Sequence, residues 1–150
     1  MTTREQVSQE MTLLAVTIGP EESLHHAYQV MRRAGVRHLP VLNDSGAVVG
    51  ILSDRDILRQ GCLLRNSEEY LNSRQVSEAM SAGVHTCRAG DRLGDIADAM
   101  IHHEIDGLPV VDQDDRLVGI ITSTDLLRYL RRTEGVIDEG AKLEPRYSAG

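Results

Sequence analysis

Gly50-Ile51-Leu52-Ser53-Asp54-Arg55-Asp56 returns 69 residues later as Gly119-Ile120-Ile121-Thr122-Ser123-Thr124-Asp125, and the match runs outward on both sides without a gap. Upstream, Met11 falls on Met80, Thr17 on Thr86, Leu24 on Leu93 and Met31 on Met100, while Leu39-Pro40-Val41 falls on Leu108-Pro109-Val110. A gapless internal repeat is one supersecondary unit built twice, and such units bury their apolar faces against each other. Two copies are too few for a solenoid, so the pattern predicts a closed pair related by a pseudo-twofold axis. The seam of such a pair forms clefts, and function is expected there.

Each copy reads as strand, helix, strand, strand, helix, an α/β (α+β) fold with two β-α-β-β-α units packed through their sheets. Ala15 to Ile18 is a short apolar segment ended by Gly19-Pro20. Ser23 then caps a helix whose Leu24, Ala27, Tyr28 and Met31 form one stripe, repeated by Leu93, Ile96, Ala97 and Met100. These stripes read as core. His38 to Leu42 and Ala47 to Leu52 flank the turn Asn43-Asp44-Ser45-Gly46 and predict a β-hairpin. Leu108 to Val111 and Leu117 to Ile121 flank Asp112-Gln113-Asp114-Asp115 in the same way. The runs do not alternate, so both faces of each hairpin are covered. Pro40 and Pro109 lack an amide donor and are expected at an edge or a strand start. Ser53 and Thr122 each open a second helix. The expected organisation is a first copy at 7–60, a partly helical connector at 61–75, a second copy at 76–133 and a loosely ordered tail at 134–150.

Composition narrows the function classes. Hydrophobic residues make up 41% and charged residues 26%, ordinary values for a soluble globular protein. No apolar stretch approaches the roughly 18 residues of a membrane span, and Met1 to Gln6 lack the apolar core of a secretory signal. A cytoplasmic location is expected, with no membrane partner. Cys62 and Cys87 have no metal or CxxC spacing and read as reduced thiols. The net charge of −7 includes no basic stripe, which argues against duplex nucleic acid. Without Phe or Trp there is no stacking platform for single strands either. Any anion bound must be small and held locally.

The sharpest chemical element is the pair Gly-x-x-[Ser/Thr]-x-x-Asp, ending at Asp56 and at Asp125. A hydroxyl three residues before an acid at a helix start makes a capping box. The same helix start presents free amides and a positive dipole end to a phosphate, with Arg55 as a fork of donors beside it. The acid can accept from both hydroxyls of a ribose. A capping role explains Ser53 and Asp56 but leaves Arg55 without one. The second element is the extended approach to each proline, around His38 and Gly107, which proline holds out of the helical region. Backbone groups there could meet the edge of a purine, or simply form a helix-to-strand loop.

These residues resemble a tandem pair of cystathionine-β-synthase (CBS) domains, a Bateman module, over about Val7 to Leu130. The resemblance rests on Met11-Thr12 and Met80-Ser81, Val16-Thr17-Ile18, Arg37-His38-Leu39-Pro40-Val41, Asp106-Gly107-Leu108-Pro109-Val110 and the two Gly-x-x-[Ser/Thr]-x-x-Asp runs. It implies a stand-alone regulatory module that is not an enzyme and needs no cofactor. It binds AMP, ADP or ATP in clefts between its repeats, with S-adenosylmethionine or a dinucleotide as alternatives. A flat homodimer formed through the helices is implied too, with Val30, Ile101, Leu127 and Leu130 offering apolar surface, and an unidentified protein as the regulated partner. A ligand-free assembly module is the competing reading.

Carried over residue by residue, the first site would use Thr17, Arg37, His38, Pro40, Ser53, Arg55 and Asp56. The second would use Thr86, Asp106, Gly107, Pro109, Thr122 and Asp125. Thr124 replaces Arg55 and Asp106 replaces Arg37, so the first site is expected to prefer phosphorylated ligands. The second is expected to be weaker, empty or suited to a nucleoside. Other readings fit less well. The pairs His25-His26 and His102-His103 have no i,i+4 or Cys partner for a metal. His38 near Ser53 lacks the strained elbow of a hydrolase. Asp112 to Asp115 lacks the twelve-residue loop of a calcium site and reads as a solvated turn.

Overall fold

The computed structural model describes residues 5–13, 15–61 and 67–135. In chain order its elements are α1 (Val7–Glu10), β1 (Thr12–Leu13), α2 (Leu24–Ala34), β2 (His38–Leu42), β3 (Val48–Ser53), α3 (Asp54–Gly61), α4 (Ser67–Asn72), α5 (Val76–Ala79), α6 (Leu93–His103), β4 (Gly107–Val111), β5 (Leu117–Thr122) and α7 (Ser123–Thr133). Both hairpins form in matching register, with Pro40 opposite Ile51 and Pro109 opposite Ile120. Their turns are closed by side chains. Asn43 Oδ1 accepts from the Ser45 and Ala47 amides, and Asp112 Oδ1 accepts from the Asp114 and Arg116 amides.

The sequence copies and the structural halves are offset, because each copy lends its first segment to the other. Thr12 and Leu13 pair with Ile120 and Gly119 on β5, whereas Ser81 bridges to Ile51 on β3. The short helices follow the same exchange. The α1 cap Gln6 bridges to Arg92 at the start of α6, and the α5 cap Gln75 bridges to Ser23 at the start of α2. Val7 is consequently buried in the core of Leu93, Ile96, Met100, Leu108 and Ile121. Val76 is buried in that of Leu24, Met31, Leu39, Leu52 and Ile57. The crossing of β1 over β5 requires glycine, because a Cβ on Gly119 would lie 2.5 Å from the Thr12 carbonyl oxygen. One on Gly50 would meet the movable end of Met80, Sδ, at 2.4 Å and the Ser81 carbonyl oxygen at 3.1 Å.

Two expectations are corrected. Ala15 to Ile18 contributes one parallel bridge rather than a strand, Ile18 to Val41, matched by Cys87 to Val110. The reason is Pro40. Its carbonyl accepts from the Ile18 amide, and Leu42 donates to the Ile18 carbonyl. The next rung would need an amide on Pro40 aimed at Val16, which proline lacks. Pro40 and Pro109 lie inside β2 and β4, which are edge strands as expected, with the missing donor on the side away from the hairpin partner. Val30, expected on the surface, packs against the first core. The connector is helical at α4, while the reading of a tail at 134–150 falls almost wholly outside the described residues. No described helix is long and apolar enough to cross a membrane.

Candidate functional site

A cleft of about 360 Å³ opens between the halves. Val16, Ala34, Arg37 and His38 wall it from one sequence copy, and Thr122, Thr124, Asp125 and Arg128 from the other. Proline shapes the first wall. Gly35 takes the left-handed conformation (φ 66°) that ends α2, and the extended run into Pro40 then carries Arg37 and His38 across the seam. The second wall is the start of α7, whose positive dipole end lies at the cleft.

Both acids of the repeated motif close capping boxes. Asp125 is 6% exposed, and its Oδ2 accepts from the Thr122 amide at 2.8 Å and the Thr122 hydroxyl at 3.0 Å. Its other oxygen, Oδ1, lies 3.4 Å from the Arg128 guanidinium. In the equivalent box Asp56 Oδ2 accepts from the Ser53 amide at 2.8 Å and the Ser53 hydroxyl accepts from the Asp56 amide at 3.1 Å. Capping therefore uses one carboxylate oxygen and leaves the other directed elsewhere, so a cap and a sugar contact can share one side chain.

The cleft floor joins the two copies. His38 Nε2 meets Asp106 Oδ1 at 2.7 Å, with the His38 side chain 11% exposed. Gly107 makes room for that ring, since a Cβ there would come within 3.0 Å of His38 Cδ2. Burial pushes the Asp106 carboxyl up, but the His38 hydrogen bond and the charges of His38 and Arg55 outweigh it and hold Asp106 below its ordinary value. Asp106 is thus a stable anion beneath the exposed Arg37.

The structure divides the expected sets differently. Arg37 and His38 of the first set stand in one cleft with Asp106, Thr122 and Asp125 of the second. Ser53, Arg55 and Asp56 are not among its walls, although the Asp54 amide donates to the Arg37 carbonyl. Thr17 is half-buried and Thr86 exposed outside the cleft walls, and Pro40 and Pro109 are buried in their strands. The cause is geometric. A cleft between halves takes one wall from each, whereas the carry-over took both walls from one copy. The preference for phosphate that rested on Arg37 and Arg55 together therefore loses that basis. Val16, Ala34 and Arg128 were missed. Arg128 could have been found from its place one turn beyond Asp125.

A second, smaller cleft of about 240 Å³ is the pseudo-twofold counterpart, with Ile51, Ser81, His85, His103, Ile105 and Gly107 among its walls. Catalytic use of Ser53 finds no support in the geometry, because its hydroxyl serves the α3 cap and His38 is bonded to Asp106.

Comparison with known proteins matches the family model for the CBS domain twice, at residues 7–61 and 76–132. The uncharacterised protein MJ1225 of Methanocaldococcus jannaschii is 34% identical over 83% of this chain, which spans 47% of that relative's length. The solved CBS domain pair of protein MJ0100, in complex with 5'-methylthioadenosine and S-adenosylmethionine, superposes with a TM-score of 0.77 at 27% identity, covering 87% of this chain and 99% of that one. The structure of CBSX2 in complex with AMP gives 0.72 at 26% identity, covering 86% and 98%.

Proposed function

The chain belongs to the CBS domain family as a tandem pair, and on that premise we propose that it is a non-catalytic sensor of an adenosine-containing ligand. The carrying observation is the first cleft, which sets a cation, a helix start and a carboxylate around one space walled by Val16 and Ala34. Each part suits a piece of a nucleotide. Small apolar walls and the Val16 backbone, left without a Pro40 amide, suit a purine. Asp125 Oδ1 suits the ribose hydroxyls, and Arg37 with the positive end of the α7 dipole suits a phosphate. Solved relatives that hold AMP, or 5'-methylthioadenosine and S-adenosylmethionine, support this class of ligand. Ligand would act by favouring one arrangement of the two halves over another, with that arrangement read by a partner protein.

Thermal shift with AMP, ATP and S-adenosylmethionine tests the reading. A rise in melting temperature that disappears in Arg37→Ala and Asp125→Asn, both still folded, is the result expected. One observation favours a second reading, an assembly module without ligand: the capping boxes are complete by themselves. On that reading Asp125→Asn lowers the melting temperature and no adenosine compound changes it. Assembly also belongs to the sensor reading as a homodimer through Ile101, Leu127 and Leu130, which are 78%, 64% and 51% exposed on α6 and α7.

A further inference from the structure

The walls of the first cleft have counterparts 69 residues on, and the two clefts differ most at two of them. Where Val16 and Ala34 stand in the first, His85 and His103 stand in the second. Their rings stack with centroids 3.9 Å apart and planes at 21°, and His102 sits edge-on to His103 at 4.9 Å and 83°. At that separation the two faces are in contact and admit no third ring between them. The contact runs from the segment after Ser81 to the last residue of α6, so it ties one wall of the cleft to the other. The remaining volume is about 240 Å³, against about 360 Å³ in the first cleft.

One further wall position differs. Gly107 stands in the second cleft where His38 stands in the first, while Asp106, the repeat equivalent of Arg37, is itself a wall of the first cleft, bonded to His38. Partial desolvation by its neighbours, together with the charges of His85 and His102, lowers the His103 pKa and favours a neutral ring. Neutral rings can remain face to face, whereas two imidazolium ions at this distance would repel.

We propose that the His85–His103 stack closes the second cleft to a purine, so that each chain holds one adenosine ligand, in the first cleft. This rests on the sensor reading above and adds its stoichiometry and the residues that set it. Two side chains thereby make a repeat with two clefts one-sited.

Titration calorimetry with adenosine, AMP and S-adenosylmethionine tests it on the full chain and on H85V/H103A, which places the first cleft's own side chains in the second. Adenosine is included because it presents purine and ribose without a phosphate, so its stoichiometry reads the space for the ring and not the charge of either cleft. One ligand per chain for the unaltered protein and two for the double variant is the result expected. Two per chain before substitution, or one per chain after it for all three compounds, overturns the inference and leaves the sensor reading standing. No binding by either protein overturns both, and the empty first cleft identifies that case. Both histidines are exposed, so folding should survive, with thermal melting as the check. Should the double variant be unstable, H85V and H103A alone carry the same readout.

Discussion

Asp125 closes a capping box through one oxygen and leaves the other beside Arg128. Asp125→Asn keeps the shape but removes the charge. It is expected to weaken adenosine binding by roughly tenfold to a hundredfold, the range for a hydrogen bond to a charged group. Loss of the cap should cost about 1 kcal/mol of stability, so titration and thermal melting separate the two roles. Asp106 makes a pH prediction. Its pKa is depressed in the folded state, so its contribution is present above the ordinary carboxylate value and is lost as pH falls through the folded value. The melting-temperature gap between the protein and Asp106→Asn should be steady near neutral pH and narrow in acid below the ordinary carboxylate range. Cys87 is 5% exposed, and burial together with the Asp91 charge pushes its thiol up to about 12. In a C62S background it should resist iodoacetamide at pH 8 until the protein is unfolded. Rapid alkylation of the native protein would contradict its burial.

At the scale of elements, the repeat made the helices, hairpins and turns legible, because the stripes and the turn residues are local signals. The exchange of first segments was not legible. A shift of 69 aligns the same residues whether Thr12 pairs with its own copy or with the other. Gly50 and Gly119 held the clue, as they sit in apolar strands where glycine marks a close backbone approach. Gly119→Ala should therefore destabilise the protein by roughly 1–3 kcal/mol through overpacking, measured by denaturant unfolding. A neutral result would mean that Thr12 does not lie against β5 as described. The same offset explains the site. The residue types were readable from the sequence, but which wall meets which depends on how the halves face. The copies also differ in their caps. Helix α2 has a Ser23 cap and Gly35 at its end, while α6 has Arg92 without a side-chain cap and Glu104 at φ 54°. Glu104→Gly should thus stabilise by about 1 kcal/mol, the cost of the left-handed conformation for a residue with a Cβ.

For the whole molecule, the pseudo-twofold axis relates two halves that share one chain and differ in charge and in cleft. Such a body can report a ligand only if binding changes how the halves, or a partner copy, sit together. Sedimentation velocity is expected to show a dimer that Leu127→Asp converts to monomer while leaving adenosine binding in place. A monomer before substitution would remove the proposed assembly face. A crystal grown with saturating AMP then decides whether the first cleft is a nucleotide site. Density for one nucleotide per chain is predicted there, with its ribose against Asp125, its phosphate toward Arg37 and its purine beside Val16 and Ala34. Solvent alone in that cleft would contradict the sensor.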